Sequence, residues 1–484
     1  MGLTCAPYLG VEHRRLVGSR GAEGEGAFGA AIWHKRPVFP TSAIRRELGP
    51  TLALALPITV GQVSQMLIGF TDTAFVARLG AVPLAAAAFT QGLCGVFYVV
   101  GVGLLSGPGV FASRDHGAGN EAGCASWLRH GRALSLVVAL SAFGILALAS
   151  TQFDRLGQPP EVMGIVRPFF LLISASLVPA LTFQVQRQFA ESVGRAWGPM
   201  IIIVVDVGLN AFCNWVLVFG HLGFPALGLF GSGCATLLAR GFAVIAIGTW
   251  LGFSRHFANL RLVSWSGWER ARFAGLLRLG VPAGVMLLFE TGAFGATALM
   301  MGWLGAVPLA AHQLALSFAA LTFMVPLGLS LAVSLRISRV HGEGRTAAAR
   351  AIGLGALLAG LVAMLTFAAL YLFAGGLITS TFTPVQDVST LAAQLLLVAA
   401  IFQVFDGAQV IGVGALRGLT DVRVPAALTF AAYWLLALPL GYWLAFHTRL
   451  GPRGLWVGLA AGLAAAAISL VWRFLHKTRD HGVA

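Results

Sequence analysis

The chain has 484 residues, of which 57% are hydrophobic and only 10% are charged. Soluble proteins carry about 25% charged residues because water must solvate their surface, so this composition excludes an ordinary soluble enzyme and favours a membrane protein. The formal net charge is +14, but the basic residues lie in loops and tails rather than on one helical face, which argues against nucleic-acid binding.

The chain begins with a polar segment over residues 1–44. It is rich in Gly, Arg and Glu and has no apolar run of the kind found in a signal peptide. We interpret it as a disordered cytoplasmic tail, with an overextended start of the reading frame as the alternative.

Twelve apolar stretches follow, and each is long enough to cross about 30 Å of hydrocarbon as a helix. The predicted spans are 50–77, 83–112, 128–149, 163–188, 199–219, 228–251, 274–302, 308–336, 348–373, 391–416, 424–446 and 454–475. We therefore predict an all-α membrane protein with twelve transmembrane helices.

The spans divide into two groups of six. We predict an N-lobe over 45–252, a cytoplasmic linker over 253–272, a C-lobe over 273–475 and a cytoplasmic tail over 476–484.

Lys and Arg are distributed unequally between the two sides of the predicted bundle. One side, with both termini and the even-numbered connections, carries 26 of them, the other side carries 5, and Arg240 lies within a span. Because Lys and Arg are enriched in cytoplasmic loops, both termini are predicted to be cytoplasmic, which also requires an even number of helices.

The sequence also repeats itself at an offset of 225 residues. The octapeptide LGAVPLAA occurs at 79–86 and again at 304–311. The same offset relates the HGxG motif at 116–119 to that at 341–344, and Pro57 to Pro282. Each copy holds six spans, so both copies enter the membrane in the same orientation and an axis along the membrane normal relates them.

Four carboxylates lie within the predicted spans, namely Asp72, Asp206, Glu290 and Asp406. A charged side chain at the bilayer centre costs about 2.5–3.5 kcal/mol on insertion scales, so each one requires a reason. A buried carboxyl can release a proton or exchange it for a cation. We favour that role over a purely structural one, in which the carboxyl forms a hydrogen bond or an ion pair with a neighbouring helix.

The fifth span carries Asp206, Asn210 and Asn214 at a spacing of four residues, which places them on one helical face. This face predicts either hydrogen bonds to neighbouring helices or direct contact with a bound ion or substrate. Arg240 either neutralises one of the carboxylates or extends towards the cytoplasmic surface.

Pro57 precedes Asp72 by fifteen residues in the first span, about 22 Å along a helix. Proline removes one main-chain hydrogen bond and weakens the helix locally. Pro57 is therefore either a passive kink or a hinge through which events at Asp72 bend the helix.

Several stretches resemble multidrug and toxic compound extrusion (MATE) transporters, over roughly residues 45–475. The matching stretches are FTDTAFVARLG at 70–80, QFAESVG at 188–194, NAFCNW at 210–215, AAHQLA at 310–315 and GALRGLTD at 414–421. The resemblance implies two pseudo-symmetric six-helix lobes, and export of amphipathic, often cationic compounds in exchange for Na⁺ or H⁺.

Within that family the chain resembles the bacterial NorM-like branch. The resemblance implies that Asp72, Glu290 and Asp406 bind the coupling ion or the drug, with a Na⁺ site at the last two. Members of the branch can carry a tyrosine one turn before the aspartate in the tenth helix, where this chain has Phe402. That departure puts strict Na⁺ coupling in doubt.

The sequence therefore predicts a monomeric antiporter of the cytoplasmic membrane, coupled to H⁺ or Na⁺ and without a cofactor. Its expected partners are small amphipathic organic cations and the lipid bilayer. The alternative is a flippase of lipids or lipid-linked precursors, which would require a more basic cavity than one containing Arg240 alone. An intramembrane hydrolase is disfavoured because no nucleophile and base with suitable spacing are found.

Overall fold

A computed structural model describes residues 41–153, 160–255, 257 and 267–479 of the chain. Within these residues, twelve helices are long and apolar enough to cross a membrane. We number them α1 Thr41–Ala77, α2 Ala81–Gly117, α3 Glu121–Ser150, α4 Gly164–Ser192, α5 Trp197–Phe219, α6 Gly228–Phe253, α7 Arg270–Leu304, α8 Ala306–Gly342, α9 Ala348–Phe382, α10 Gln386–Gly418, α11 Arg423–Phe446 and α12 Pro452–Lys477. The predicted number of transmembrane helices, their order and the all-α class are confirmed.

Most helices extend beyond the predicted spans, and α1 shows why. It begins at Thr41, so the last residues of the predicted tail are helical, whereas residues 1–40 lie outside the described residues. Glu47 in this extension is buried and binds Arg336 and Arg345 near the end of α8, the latter at 2.6 Å. Partners so distant in the chain stabilise an extension that apolar patterning does not detect.

The other predicted boundaries are also shifted. α7 begins at Arg270, within the predicted linker, and α12 continues to Lys477, two residues beyond the predicted end of the last span. Residues 258–266 of the linker and 480–484 of the tail lie outside the described residues.

Three of the helices are irregular within the predicted bilayer. α2 is interrupted at Leu105 and Ser106, and α4 is interrupted at Ser176. α11 contains a π-helical segment, Ala431–Ala437, whose Tyr433 is fully buried. Such irregularities leave main-chain and hydroxyl groups free to meet other side chains, and they are often found at functional sites.

Most helices pack against other helices of the same copy of the sequence repeat. In the first half α5 packs against α6, and α4 against α3 and α6; in the second half α10 packs against α8, α9 and α12. Between the halves, α2 packs against α7 and α8. This packing agrees with two groups of six helices, and the predicted bounds of the N-lobe and the C-lobe stay a prediction.

The contact between α2 and α8 is reciprocal. Ser113 Oγ donates to the main-chain oxygen of Leu335 at 2.8 Å, and Ser338 Oγ donates to that of Val110 at 2.7 Å. The two hydrogen bonds are related by the 225-residue offset. We call this contact the α2–α8 crossing. It lies at the same end of the bundle as the start of α1 and the end of α12, and we call that end the basic end.

Glycines in the repeated HGxG motif allow the crossing. A Cβ atom added to Gly117 would lie 2.2 Å from the main-chain oxygen of Arg339, and one added to Gly342 would lie 1.9 Å from that of Arg114. Small residues permit this approach of two backbones. Gly119 and Gly344 terminate the two helices at φ values of 71° and 74°, a conformation that glycine adopts without strain.

Candidate functional site

A cavity of about 710 Å³ lies between the two halves of the bundle. Most of its wall is apolar, which suits the body of an amphipathic molecule. Side chains from α1, α2, α4, α5 and α6 line it on one side, and side chains from α7, α8 and α10 on the other. The charged residues in the wall are Asp72, Arg187, Glu191, Asp206, Arg240, Glu290 and Arg417. Val110 and Leu335 of the α2–α8 crossing also line the cavity, so the crossing forms part of its wall at the basic end.

Asp72 is held by three hydrogen-bond donors from two neighbouring helices. Its Oδ1 accepts from Asn210 Nδ2 at 3.1 Å and from Asn214 Nδ2 at 2.8 Å, and its Oδ2 accepts from Thr236 Oγ1 at 3.0 Å. Both asparagines are completely buried behind Asp72. They therefore orient the carboxylate and do not line the cavity, and Thr236 is a partner that sequence reasoning missed.

Asp206 and Arg240 lie near Asp72 in the same half. Asp206 is 5% exposed, and its Oδ1 has no hydrogen-bond partner among the described residues. Arg240 is close enough to Asp206 and Asp72 for electrostatic interaction. Its Nη1 donates to Ser176 Oγ at 2.7 Å, and no carboxylate of the described residues lies within ion-pair distance. Arg240 thus lies in the cavity wall near two carboxylates, which agrees with the first of the two predicted alternatives, neutralisation of an acid, although it forms no direct ion pair among the described residues.

Glu290 and Asp406 come together in the second half, close enough to interact electrostatically. Glu290 lines the cavity, whereas Asp406 is 5% exposed and lies behind it. Tyr433, from the π-helical segment of α11, is buried beside both carboxylates, and Arg417 interacts with Glu290. Tyr433 and Arg417 were not identified as site residues from the sequence.

Phe402 is buried where the resemblance implied a tyrosine. Its ring contacts those of Phe294 and Trp456, at centroid distances of 6.3 and 5.7 Å. It supplies no oxygen to the carboxylate pair. Tyr433 places its phenol hydroxyl beside Glu290, and it reaches this position from a different helix.

Two charged residues at the end of α4 also line the cavity. Arg187 and Glu191, both almost fully buried, form an ion pair of 3.4 Å, and Arg187 Nη1 donates to Gln65 Oε1 at 3.2 Å. The expectation that Arg240 is the single arginine of the cavity is wrong, since Arg187 and Arg417 line it as well.

Pro57 lies in α1, which continues as a helix on both sides of it. It lines a second cavity of about 470 Å³ at the basic end, together with Glu191, Arg336 and Arg339. Asp72 and Pro57 therefore face different cavities along one helix. Among the described residues, no three His, Cys, Asp or Glu side chains cluster as ligands of a metal ion.

Comparison with known proteins was made against family models, curated sequences and solved structures. The MatE family model matches residues 57–216 and 282–443. A probable multidrug resistance protein NorM of Mesorhizobium japonicum is 34% identical over 450 residues, covering 91% of this chain and 96% of the relative. One from Burkholderia pseudomallei is 35% identical over 454 residues, with 92% and 96% covered.

Solved structures share the fold. An outward-facing multidrug resistance MATE family transporter of the MOP superfamily superposes with a TM-score of 0.82 at 20% identity, covering 91% of this chain and 98% of the other. A variant of the Vibrio cholerae MATE transporter VcmN gives a TM-score of 0.83 at 20% identity, with the same coverage.

Proposed function

The chain belongs to the MatE family of membrane transporters, and from this premise we propose that it is an antiporter that exports amphipathic organic cations in exchange for H⁺ or Na⁺. The family moves its substrates across a membrane, so the protein is a transporter and not an enzyme. Its relatives are named as multidrug resistance proteins, which supports toxic amphipathic compounds as the substrate class.

One observation carries the proposal: carboxylates from both halves meet in a largely apolar cavity between them. Asp72 and Asp206 lie on one side and Glu290 on the other. The apolar wall accommodates the hydrophobic body of a drug, and the carboxylates attract its positive charge. A volume of about 710 Å³ falls within the range of roughly 300–1,000 Å³ found for pockets that bind small molecules.

Competition for the same carboxylates couples the two fluxes. A ligand shifts a conformational equilibrium only through its different affinities for the two states. If the ion and the drug each need Asp72 or Glu290, occupation by one weakens binding of the other. Release of the drug outside and entry of the ion then become alternating steps of one cycle.

The coupling ion is either H⁺ or Na⁺. Glu290 and Asp406 offer up to four carboxylate oxygens, and hard cations bind to oxygen ligands. The hydroxyl of Tyr433 adds an oxygen beside them, in place of the one that Phe402 lacks. Protonation of the same pair would equally remove its charge repulsion. The proposal therefore includes H⁺ and Na⁺ as the two candidate coupling ions.

Alternating access requires the α2–α8 crossing to open. Val110 and Leu335 of the crossing lie in the cavity wall at the basic end, which supports a cavity closed at that end, and we assign that end to the cytoplasm from the distribution of Lys and Arg. The conformation is then outward-facing, and the two groups of six helices rock against each other and separate at the crossing to reach the inward-facing state.

Transport by the purified protein in liposomes tests this function. Efflux of ethidium is followed by fluorescence while a pH gradient and a Na⁺ gradient are imposed separately. We expect drug movement with one gradient and none without either. Movement of a fluorescent phospholipid, with no ethidium transport under any gradient, would instead establish the flippase alternative, for which Arg187, Arg240 and Arg417 in the cavity are the supporting observation.

The proposed location is the inner membrane of a bacterium with both termini in the cytoplasm, in a protein that acts as a monomer. Reporter fusions after residue 475 should report the cytoplasm, and fusions at 383–385, between α9 and α10, should report the outside. Mass photometry of the protein in nanodiscs tests the oligomeric state.

A further inference from the structure

Glu47 connects the two halves of the bundle at the basic end. It lies in α1 of the first half, and each of its carboxylate oxygens is bound by an arginine of the second half. Oε2 accepts a hydrogen bond from Arg336 Nη2 on α8. Oε1 accepts one at 2.6 Å from Arg345 Nη2, in the connection between α8 and α9. We call these three residues the Glu47 latch.

The centre of the latch is shielded from water. The side chain of Glu47 is 7% exposed and that of Arg336 is 14% exposed. Exposed ion pairs contribute little because water and salt screen them, whereas removal of one partner from a buried pair leaves an uncompensated charge and is strongly destabilising. The Glu47 latch therefore favours conformations in which the two halves are in contact at this point.

The equivalent position in the second copy of the repeat also carries a charge that reaches the other half. The 225-residue offset relates Glu47 to Arg272 at the start of α7. Arg272 Nη1 lies 3.9 Å from Asp115 Oδ2 on α2, and the guanidinium lies over the ring of Trp127, 4.6 Å from its centroid. The side chains of Arg272 and Asp115 are 20% and 24% exposed. Both copies thus place an ion pair between the halves at this position, and the Glu47 latch is centred on the more buried carboxylate.

The first helix is consequently attached to both halves. Asp72 in α1 accepts its hydrogen bonds from residues of the first half, namely Asn210, Asn214 and Thr236. Glu47 lies 25 residues earlier, about 37 Å away along the helix, and is bound to the second half. An undeformed α1 can keep both attachments only while the halves stay together at the basic end.

We propose that the Glu47 latch holds the outward-facing state closed at the basic end, and that its ion pairs break each time the transporter opens to the cytoplasm. Arg336 and Arg345 bind Glu47 only while α8 lies against α1. A contact that is made in one of two states shifts the ratio of those states in favour of the one that makes it. The inference rests on the proposed alternating access, and it identifies a contact that sets the balance between the two states.

Distance measurements between the halves test the latch without reference to transport. Ala122, at the start of α3, and Ala347, just before α9, are exposed at the basic end. Ala122→Cys and Ala347→Cys are introduced into the full chain after its native cysteines have been replaced by serine, and both sites receive nitroxide labels. Double electron–electron resonance in nanodiscs then reports a shorter distance when this end is closed and a longer one when it is open. In Glu47→Gln we expect the ratio of open to closed protein to rise about tenfold or more, the effect typical of a charged hydrogen bond.

Glu343→Gln is the matched control. Glu343 binds Arg345 at 3.0 Å and Arg339 at 3.1 Å, but all three residues belong to the second half, so these ion pairs do not connect the halves. The ratio of open to closed protein in this variant should stay within about twofold of wild type. Arg345→Gln removes the more exposed partner of Glu47. It should shift the ratio in the same direction as Glu47→Gln by a smaller factor, because exposed ion pairs are weaker.

The outcomes separate the latch from the proposed function. An unchanged ratio in Glu47→Gln, or an equal rise in Glu343→Gln, would overturn the latch. Should Glu47→Gln fail to fold, Arg345→Gln decides by the same ratio, and an unchanged value there overturns the latch as well. Absence of ethidium efflux by the wild type under every ion gradient would overturn the export function, whereas the distances between the labels would still decide the latch.

Discussion

Ser113 and Ser338 lie 225 residues apart in the chain, and each donates a hydrogen bond to the main chain of the helix that carries the other. The two bonds are related by the sequence repeat, and they join the halves of the molecule at the basic end. Because Val110 and Leu335, which accept these two bonds, also line the cavity, we expect access to the cavity from this end to depend on whether these contacts are made.

The first prediction concerns the glycine of the crossing. In Gly342→Ala the added methyl group would overlap the main-chain oxygen of Arg114, so the halves must separate there. We expect a loss of about 1–3 kcal/mol in stability and at least a tenfold fall in drug efflux. Thermal unfolding in detergent and transport in liposomes measure the two effects. Gly92→Ala on α2, where an added Cβ has no neighbour within 4 Å, is the matched control and should behave like wild type.

The second prediction concerns the carboxylate pair of the second half. Glu290→Gln and Asp406→Asn keep the shape of each side chain and remove its charge, so each should abolish drug resistance in cells while expression stays near normal. Minimum inhibitory concentrations and immunoblots test this. Asp387→Asn, an exposed carboxylate at the start of the same helix as Asp406, should retain resistance. Wild-type efflux in both pair variants would show that the carboxylates serve packing only.

The third prediction concerns Asp72. When charged, it accepts three hydrogen bonds, and charge-assisted bonds are worth about 1.5–3 kcal/mol each. Protonation weakens them and changes which shape of α1 dominates. Asp72→Asn should therefore imitate the protonated form and uncouple efflux from an imposed pH gradient. Full pH-driven efflux by this variant would assign coupling to Glu290 and Asp406 alone.

The fourth prediction concerns Pro57. If it is the point at which α1 bends, Pro57→Ala restores a main-chain hydrogen bond and stiffens the helix. We expect turnover to fall about tenfold while binding of the ion and the drug is retained. Pro50→Ala, seven residues earlier in the same helix, controls for a general effect of removing proline. Equal turnover in wild type and Pro57→Ala would rule out the hinge.

The fifth prediction concerns stability outside the bilayer. Asp421, between α10 and α11, accepts hydrogen bonds from Arg473 at 2.7 Å and Lys477 at 2.8 Å. Burial alone would raise the pKa of Asp421, but these two partners outweigh it and hold the pKa below its ordinary value.

Because the folded pKa of Asp421 is depressed, its contribution is fully present above the unfolded pKa of about 3.9 and is lost as the pH falls through the folded value. Asp421→Asn should cost about 1–3 kcal/mol at pH 7, and the difference from wild type should disappear in strong acid. Thermal unfolding in detergent across this pH range measures it. A difference that does not depend on pH would mean that the charge is not responsible.

The sequence predicted those site contacts that depend on helical spacing. Asn210 and Asn214 are one turn apart and both meet Asp72, as expected for polar residues on one buried face. Thr236 and Ser176 were not predictable, because a hydroxyl within a helix ordinarily bonds to its own main chain. Thr236 makes that bond as well, to the main-chain oxygen of Ser232 at 3.0 Å.

The sequence also failed to predict that charged residues at the ends of helices line the cavity. Arg187 and Glu191 follow an apolar run, so the pattern assigned them to the end of the span and the connection after it. In the structure α4 continues to Ser192. Arg187 and Glu191 lie one turn apart on it and neutralise each other as an ion pair. Arg417 was treated in the same way, but α10 continues to Gly418 and brings it into the cavity wall beside Glu290. Only tertiary structure shows which end residues turn inward.

The α2–α8 crossing has the property of an isologous interface, in which one surface meets a second copy of itself. Gly117 approaches Arg339, and Gly342 approaches Arg114, so each half carries both sides of the contact. A single six-helix ancestor with this motif could pair with an identical chain about a two-fold axis before gene fusion joined the copies. The same self-complementarity restrains divergence, because the glycine of either copy must remain small enough for the backbone of the other.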